Sequence, residues 1–137
     1  MKRAIVVLGM IFAVLVGLSV APTGNVAQAA YGTSVNNSGF SVTETLVCGV
    51  NSNNVNAGCV TAYPGETEYQ VRGWTPNAVA VGPYYDSIYR VVKSNGYTTG
   101  WVSQWGGRNG TWISVGALRD MWGNDIEVQV IIDGPFY

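Results

Sequence analysis

Apolar side chains recur at every second position in short runs along most of the chain. In "DIEVQVIID" (125–133), Ile126, Val128, Val130 and Ile132 fall on one side, while Glu127, Gln129 and Asp133 fall on the other. That period of two is the signature of a strand with one face buried. "YDSIYRVVK" (85–93) repeats it, with Tyr89 and Val91 on one side and Ile88, Arg90 and Val92 on the other. In "GFSVTETLV" (39–47) the Phe40/Val42/Leu46 side is expected to face inward, with Glu44 as its one imperfection. "CVTAY" and "TEYQVRGW" supply two further strand candidates around the turn signal Pro64-Gly65. "SNG" (94–96) predicts a tight turn into "YTTGWVSQW", and Asn109-Gly110 predicts a hairpin that returns as "TWISVGAL". "ALRDMWG" (117–123) reads as one helical turn at most, being too short for a stable helix. Many short strands joined by Gly-, Asn- and Ser-rich turns predict an all-β fold. The expected architecture is an antiparallel, jelly-roll-like β-sandwich of about eight strands.

The N-terminus breaks this pattern. Lys2 and Arg3 precede the unbroken apolar run "AIVVLGMIFAVLVGLSV" (4–20), and "APTGNVAQAA" then offers Ala27-Gln28-Ala29 as a small-x-small cleavage site. The arrangement predicts a signal peptide over 1–29, with the mature chain starting at Ala30 or Tyr31. An uncleaved anchor is the alternative, since the run approaches the length that spans a bilayer. Residues 30–137 are then expected to form one secreted, extracellular domain.

Without Lys2 and Arg3 the seven basic residues fall to five against eight acidic ones, a net charge of −3. The five are scattered singly as Arg72, Arg90, Lys93, Arg108 and Arg119. No basic patch can neutralise a phosphate backbone, so nucleic acid is not an expected partner. Anionic membranes are disfavoured for the same reason. Cys48 and Cys59, the only cysteines, are expected to pair in an oxidising compartment.

The chain has no histidine, which removes the usual base of Ser and Cys nucleophile arrangements. Glu66 and Glu68 are spaced to share a strand face and could serve as a carboxylate pair, but a solvated face beside a turn accounts for them. Asp120, Asp125 and Glu127 match no calcium-loop pattern, and two cysteines without histidine make a poor zinc site. The expectation is therefore a non-enzymatic chain without cofactor or metal.

Three segments resemble a known family. "VNNSGFSV" (35–42) looks like the opening of the golvesin-type domain, also attached to xanthan-lyase-type enzymes. "YPGETEYQVRGWTPN" (63–77) is similar to its second strand region. "SIYRVVKSNGYTTGWVSQWGGRNGTWISVGAL" (87–118) is similar to its most recognisable part through Tyr89, Val91, Gly96, Val102, Gln104, Gly110, Trp112, Val115 and Gly116. The resemblance implies a bacterial, carbohydrate-binding-like β-sandwich without catalytic activity of its own. The chain differs in its Cys48–Cys59 loop and in lacking a tryptophan shortly after the opening phenylalanine.

Within that resemblance Val102 and Trp112 are expected inside, with Gln104 hydrogen-bonded near the hairpin. Trp101 and Trp105 are surplus to the pattern and lie on the opposite face, roughly 13 Å apart along an extended strand. Two flat rings at that spacing suit alternate sugar units of an extended glycan. Tyr84, Tyr85 and Tyr97 could lengthen the strip, and Arg108 and Asn109 could add hydrogen bonds at its end. Trp74 and Trp122 are expected against the sandwich edge. The expected partner is a cell-wall or capsule polysaccharide. The alternatives are a surface-assembly protein whose aromatic face makes protein contacts, and a small secreted toxin or inhibitor.

Overall fold

The computed structural model of the chain describes residues 32–137. The expected signal segment 1–29, and the expected mature start at Ala30 or Tyr31, lie outside the described residues. Nine strands and one short helix follow in order. They are β1 (Ser34–Asn37), β2 (Thr45–Val50), β3 (Asn56–Ala62), β4 (Thr67–Tyr69), β5 (Thr75–Val81), β6 (Asp86–Lys93), β7 (Val102–Trp105), β8 (Thr111–Ser114), α1 (Val115–Trp122) and β9 (Ile126–Asp133). They build two packed sheets, in the orders β4-β1-β9-β6-β7 and β3-β2-β5-β8. The fold is an all-β sandwich. Pairing is antiparallel except between β1 and β9, which run parallel in the middle of the larger sheet.

The strand pattern explains the core. Ile126, Val128, Val130 and Ile132 of β9 are buried, as their alternation predicts, beside Val35 of β1 and Val91 of β6. The smaller sheet and its helix meet them with Val47, Ala62, Val79, Val81, Ile113 and Val115. Every fully buried apolar side chain except Ala62 is Val or Ile. Branched side chains lose little extra rotamer freedom on a pleat and fill the roughly 10 Å gap between facing sheets. The aromatic rings are pushed outward. Trp74, Tyr85, Tyr89 and Trp122 only cap this core from its margins, as expected for Trp74 and Trp122.

Four expectations are corrected. First, Phe40, Val42 and Leu46 are exposed, and Thr45 and Val47 face inward instead. Residues 38–44 are not a strand but a turn, docked on β9 by Ser41. The Ser41 Oγ accepts from the Ile132 amide at 2.9 Å, so the register of β2 is set afresh after it. Second, Asn109-Gly110 closes no hairpin. Gly110 does take φ +81, as a turn glycine does, but β7 pairs with β6 while β8 pairs with β5. The segment carries the chain from one sheet to the other. Third, α1 is a full eight-residue helix. The Ser114 side chain caps it by accepting from the Ala117 amide at 3.1 Å, and Arg119 ties it to β5 through Asn77 and the Pro76 carbonyl. Those contacts supply what length alone does not. Fourth, Trp112 is 51% exposed and Val102 is 47% exposed. Trp112 stands opposite Ala80 on the outer side of the smaller sheet, because its neighbour Ile113 takes the inward position. Val102 does point to the inner side with Tyr89, but on the edge strand it is only half covered.

Cys48 and Cys59 are bonded to each other as a directly opposed pair on β2 and β3. A disulfide belongs to an oxidising, extracellular type of compartment. Among the described residues no helix is long and apolar enough to cross a membrane.

Candidate functional site

The register of the larger sheet assembles one outer face from four strands. Antiparallel partners point to the same side, so each pairing extends a row. Asp133 of β9, Asp86 of β6 and Trp105 of β7 form one row. Ile131, Ile88 and Ser103 form the next. Gln129 and Arg90 lie one pleat further along, and the guanidinium carbon of Arg90 sits 4.5 Å from the centre of the Trp101 ring. Trp101 and Trp105 therefore share this face, at the edge of the sheet, and are 42% and 47% exposed.

A hydrogen-bonded ladder holds the Trp101 end. Arg90 Nε donates to Gln129 Oε1 at 2.8 Å, and Gln129 Nε2 donates to Glu127 Oε1 at 3.2 Å. Asn36 Nδ2 donates to the other Glu127 oxygen at 3.1 Å. The chain of contacts crosses β6, β9 and β1 and fixes the guanidinium that stacks on the indole. Such a cation–π contact contributes about 0.5–1 kcal/mol at an exposed site. Its effect here is to hold one face of Trp101 against the protein. Tyr69 of β4 lies at the far side of the ladder. Its phenol is pushed above the ordinary 10.0, first by burial and then by the nearby Glu127 carboxylate.

Two crossovers position the Trp105 end. The turn after β5 and the turn after β7 both pass between the sheets, and they are bonded to each other. The Tyr84 amide donates to the Gly107 carbonyl and the Gly106 amide to the Tyr85 carbonyl, each at 2.8 Å. A Cβ at Gly106 would collide with the Gly82 carbonyl, so only glycine allows this approach.

The remaining expected site residues divide. Tyr84 is at the Trp105 end, in a left-handed conformation (φ +66), with its ring 5.2 Å from that of Tyr137. Arg108 and Asn109 are exposed in the connection that follows Trp105. Tyr85 does not join the strip: it packs on the core margin. Tyr97 also leaves it, stacking on Trp122 at 5.7 Å beside the turn after β6. Sequence reasoning missed Arg90, Gln129, Glu127, Asn36, Asp86 and Asp133. Alternation puts the outward residues of a strand on one side, but it carries no information about which strands are neighbours.

The acids singled out as weak catalytic or calcium candidates are dispersed. Glu66 Oε1 accepts from the Tyr63 amide across the Pro64-Gly65 turn at 2.8 Å, a turn-closing role. Asp120 and Asp125 are exposed on α1 and in the loop after it, and Glu127 belongs to the ladder. Among the described residues no three His, Cys, Asp or Glu side chains come together as a metal site would require.

The outer side of the smaller sheet is chemically different. Thr61, Leu46, Ala80 and Trp112 form a row across it, next to the disulfide, Ala78 and Ser114. Neither row carries a charge. Compared with protein-family models, with curated proteins and with solved structures, the chain matches none.

Proposed function

We propose that this chain is an exported, non-catalytic module that contacts cell-wall or extracellular polysaccharide through the outer face of its larger sheet. The observation that carries the reading is the pair of half-exposed indoles, Trp101 and Trp105, on one face beside a pre-bonded polar ladder. Sugar C–H groups pack on such rings, while hydroxyls find Arg90, Gln129 and Glu127 within the same face. Rings held by a rigid sheet lose little freedom on binding, which favours affinity. The resemblance of three segments to the golvesin-type domain points the same way, and the net negative charge after signal removal fits neither nucleic acid nor an anionic membrane.

Co-sedimentation with insoluble cell walls and purified glycans tests this. The intact protein is expected in the pellet, and Trp101→Ala with Trp105→Ala is expected in the supernatant while remaining folded. Failure of the intact protein to pellet with any glycan would sink the reading. Release of reducing ends would replace it with a hydrolase.

A second reading, protein–protein assembly, is favoured by the uncharged face around Leu46 and Trp112, with Trp112 half-exposed. Sedimentation velocity separates the two. Self-association abolished by Trp112→Ser plus Leu46→Ser would support assembly, and a monomer at all concentrations would not.

A further inference from the structure

We propose that the Cys48–Cys59 bond is a reversible thiol–disulfide exchange site, opened in the folded chain by a small dithiol arriving from solvent. The inference goes beyond the polysaccharide reading and lies on the other sheet. Position makes the bond reachable. β3 is an edge strand of the smaller sheet, and each of its residues from Asn56 to Thr61 is exposed, Cys59 among them. On the outer side the neighbours of the bond are small. Ala78 stands opposite Cys48 on β5, and Thr61 is the next residue on the same side of β3 as Cys59. Neither carries a charge, so neither repels an incoming thiolate. Exposed disulfides are the ones that exchange, whereas enclosed ones resist reduction.

A separate observation explains why the strands outlast the bond. Trp74 clasps the same two strands from the core side. Its indole lies so close over Gly49, the buried residue after Cys48, that a Cβ there would collide with the ring. Its Nε1 donates at 3.0 Å to the carbonyl of Gly58, the residue before Cys59. Beyond the cysteines the ladder continues regularly, pairing Val47 with Val60 and Leu46 with Thr61, and Val47 is fully buried. Cleavage therefore leaves the two thiols opposed, held by strand pairing on one side and by the indole on the other. Reactants held in place in this way re-close readily.

The chemistry balances with the dithiol as the only reductant. One of its thiolates attacks the Cys59 sulfur, the S–S bond breaks, and Cys48 leaves as a thiolate that takes up a proton. The second thiolate of the reagent attacks the mixed disulfide, closes the reagent's own S–S bond and releases Cys59. Two electrons and two protons pass to the cysteine pair, and the oxidised reagent restores the bond by the reverse sequence.

The test incubates the folded protein with dithiothreitol, traps free thiols with iodoacetamide and counts them by mass spectrometry, with far-UV circular dichroism followed alongside. Both cysteines are expected to react within about tenfold of their rate in the urea-unfolded chain, with the strand signal unchanged. A bond that had to wait for global unfolding would react about a thousandfold more slowly, or less. Oxidised dithiothreitol should then restore the bond within the monomer. Thr61→Glu sets a carboxylate about 7 Å along the strand from Cys59 and should slow reduction about threefold at low salt, relative to Thr61→Gln. Reduction slowed about a hundredfold or more against the unfolded chain overturns the exchange site. So does loss of the strand signal as thiols appear, re-oxidation only to cross-linked chains, or equal rates in the two Thr61 variants. Each of these outcomes leaves the polysaccharide reading standing.

Discussion

The two outer faces of this sandwich are made by the same strand geometry and differ in almost everything else. On the larger sheet, outward positions hold Asp86, Arg90, Glu127, Gln129 and Asp133, with Trp101 and Trp105 along one margin. On the smaller sheet they hold Leu46, Ala78, Ala80, Thr61 and Trp112 around a cross-strand disulfide. An exposed indole is present on both, so exposure alone does not distinguish a binding surface. What differs is the support: Trp101 is backed by a guanidinium that is itself held through three further side chains, whereas Trp112 lies across from an alanine. The first arrangement restrains a ring in one orientation. The second sets the ring in an uncharged row beside Ala80 and Leu46.

The comparison can be broken most strongly at the disulfide. Cys48→Ala with Cys59→Ala should lower stability by about 3 kcal/mol, the value for a short closed loop, as measured by denaturant unfolding. If the faces act independently, glycan retention by the still-folded fraction should not change. Next comes the platform itself. Trp101→Ala with Trp105→Ala should weaken glycan binding by about 2 kcal/mol or more, as aromatic anchors do, while the loss of the Arg90–Trp101 contact lowers stability by about 0.5–1 kcal/mol and leaves the protein folded. Trp112→Ala serves as its mirror: equal loss of binding from that variant would assign the ligand to the wrong sheet. Acrylamide quenching of tryptophan fluorescence offers a quick check, because three half-exposed indoles should leave a large quenchable fraction, and uniformly blue emission would contradict their exposure.

A smaller effect is expected from Arg90→Ala. It removes the stacked cation, worth about 0.5–1 kcal/mol, and should reduce glycan binding several-fold through the loosened Trp101 ring. Binding that tracks Arg90 but not Gln129→Ala would mean that the arginine touches the ligand rather than positioning the indole. The smallest effect concerns Tyr69. Its phenol binds its proton more tightly in the folded chain than at the ordinary 10.0. The stability this contributes is complete below the unfolded value and is lost as pH rises through the folded one. Glu127→Gln should lower the folded value, seen as tyrosinate absorbance appearing at less alkaline pH. No change would leave burial, with the Glu68 carboxylate, as the cause.

Strand alternation was legible where a strand is long and central. All four inward residues of β9 and the Tyr89/Val91 side of β6 follow from their period of two. It misled where backbone irregularities reset the count. The docked turn before β2 exposed Phe40, Val42 and Leu46, and the connection at Asn109-Gly110 changed sheets instead of doubling back. A two-residue turn signal reports that the backbone can take positive φ there; it does not report where the next strand finds a partner. The separation of Trp101 and Trp105 from the inward side was legible for the same reason that β9 was. Their neighbours Arg90, Gln129, Asp86 and Asp133 were not.

By itself the sequence determined the class of fold, the inward side of β9 and the presence of surplus aromatic rings, and it left Cys48 and Cys59 as each other's expected partners. These are local matters, set by pleat period, composition and count. Only the tertiary structure decided that β9 lies between β1 and β6, that Trp112 faces outward, and that an indole pair shares a face with Asn36, Asp86, Glu127, Gln129 and Asp133. Strand order is a contest among distant segments for one core, and its outcome depends on packing between residues as far apart as Val35 and Val128, which no local period records.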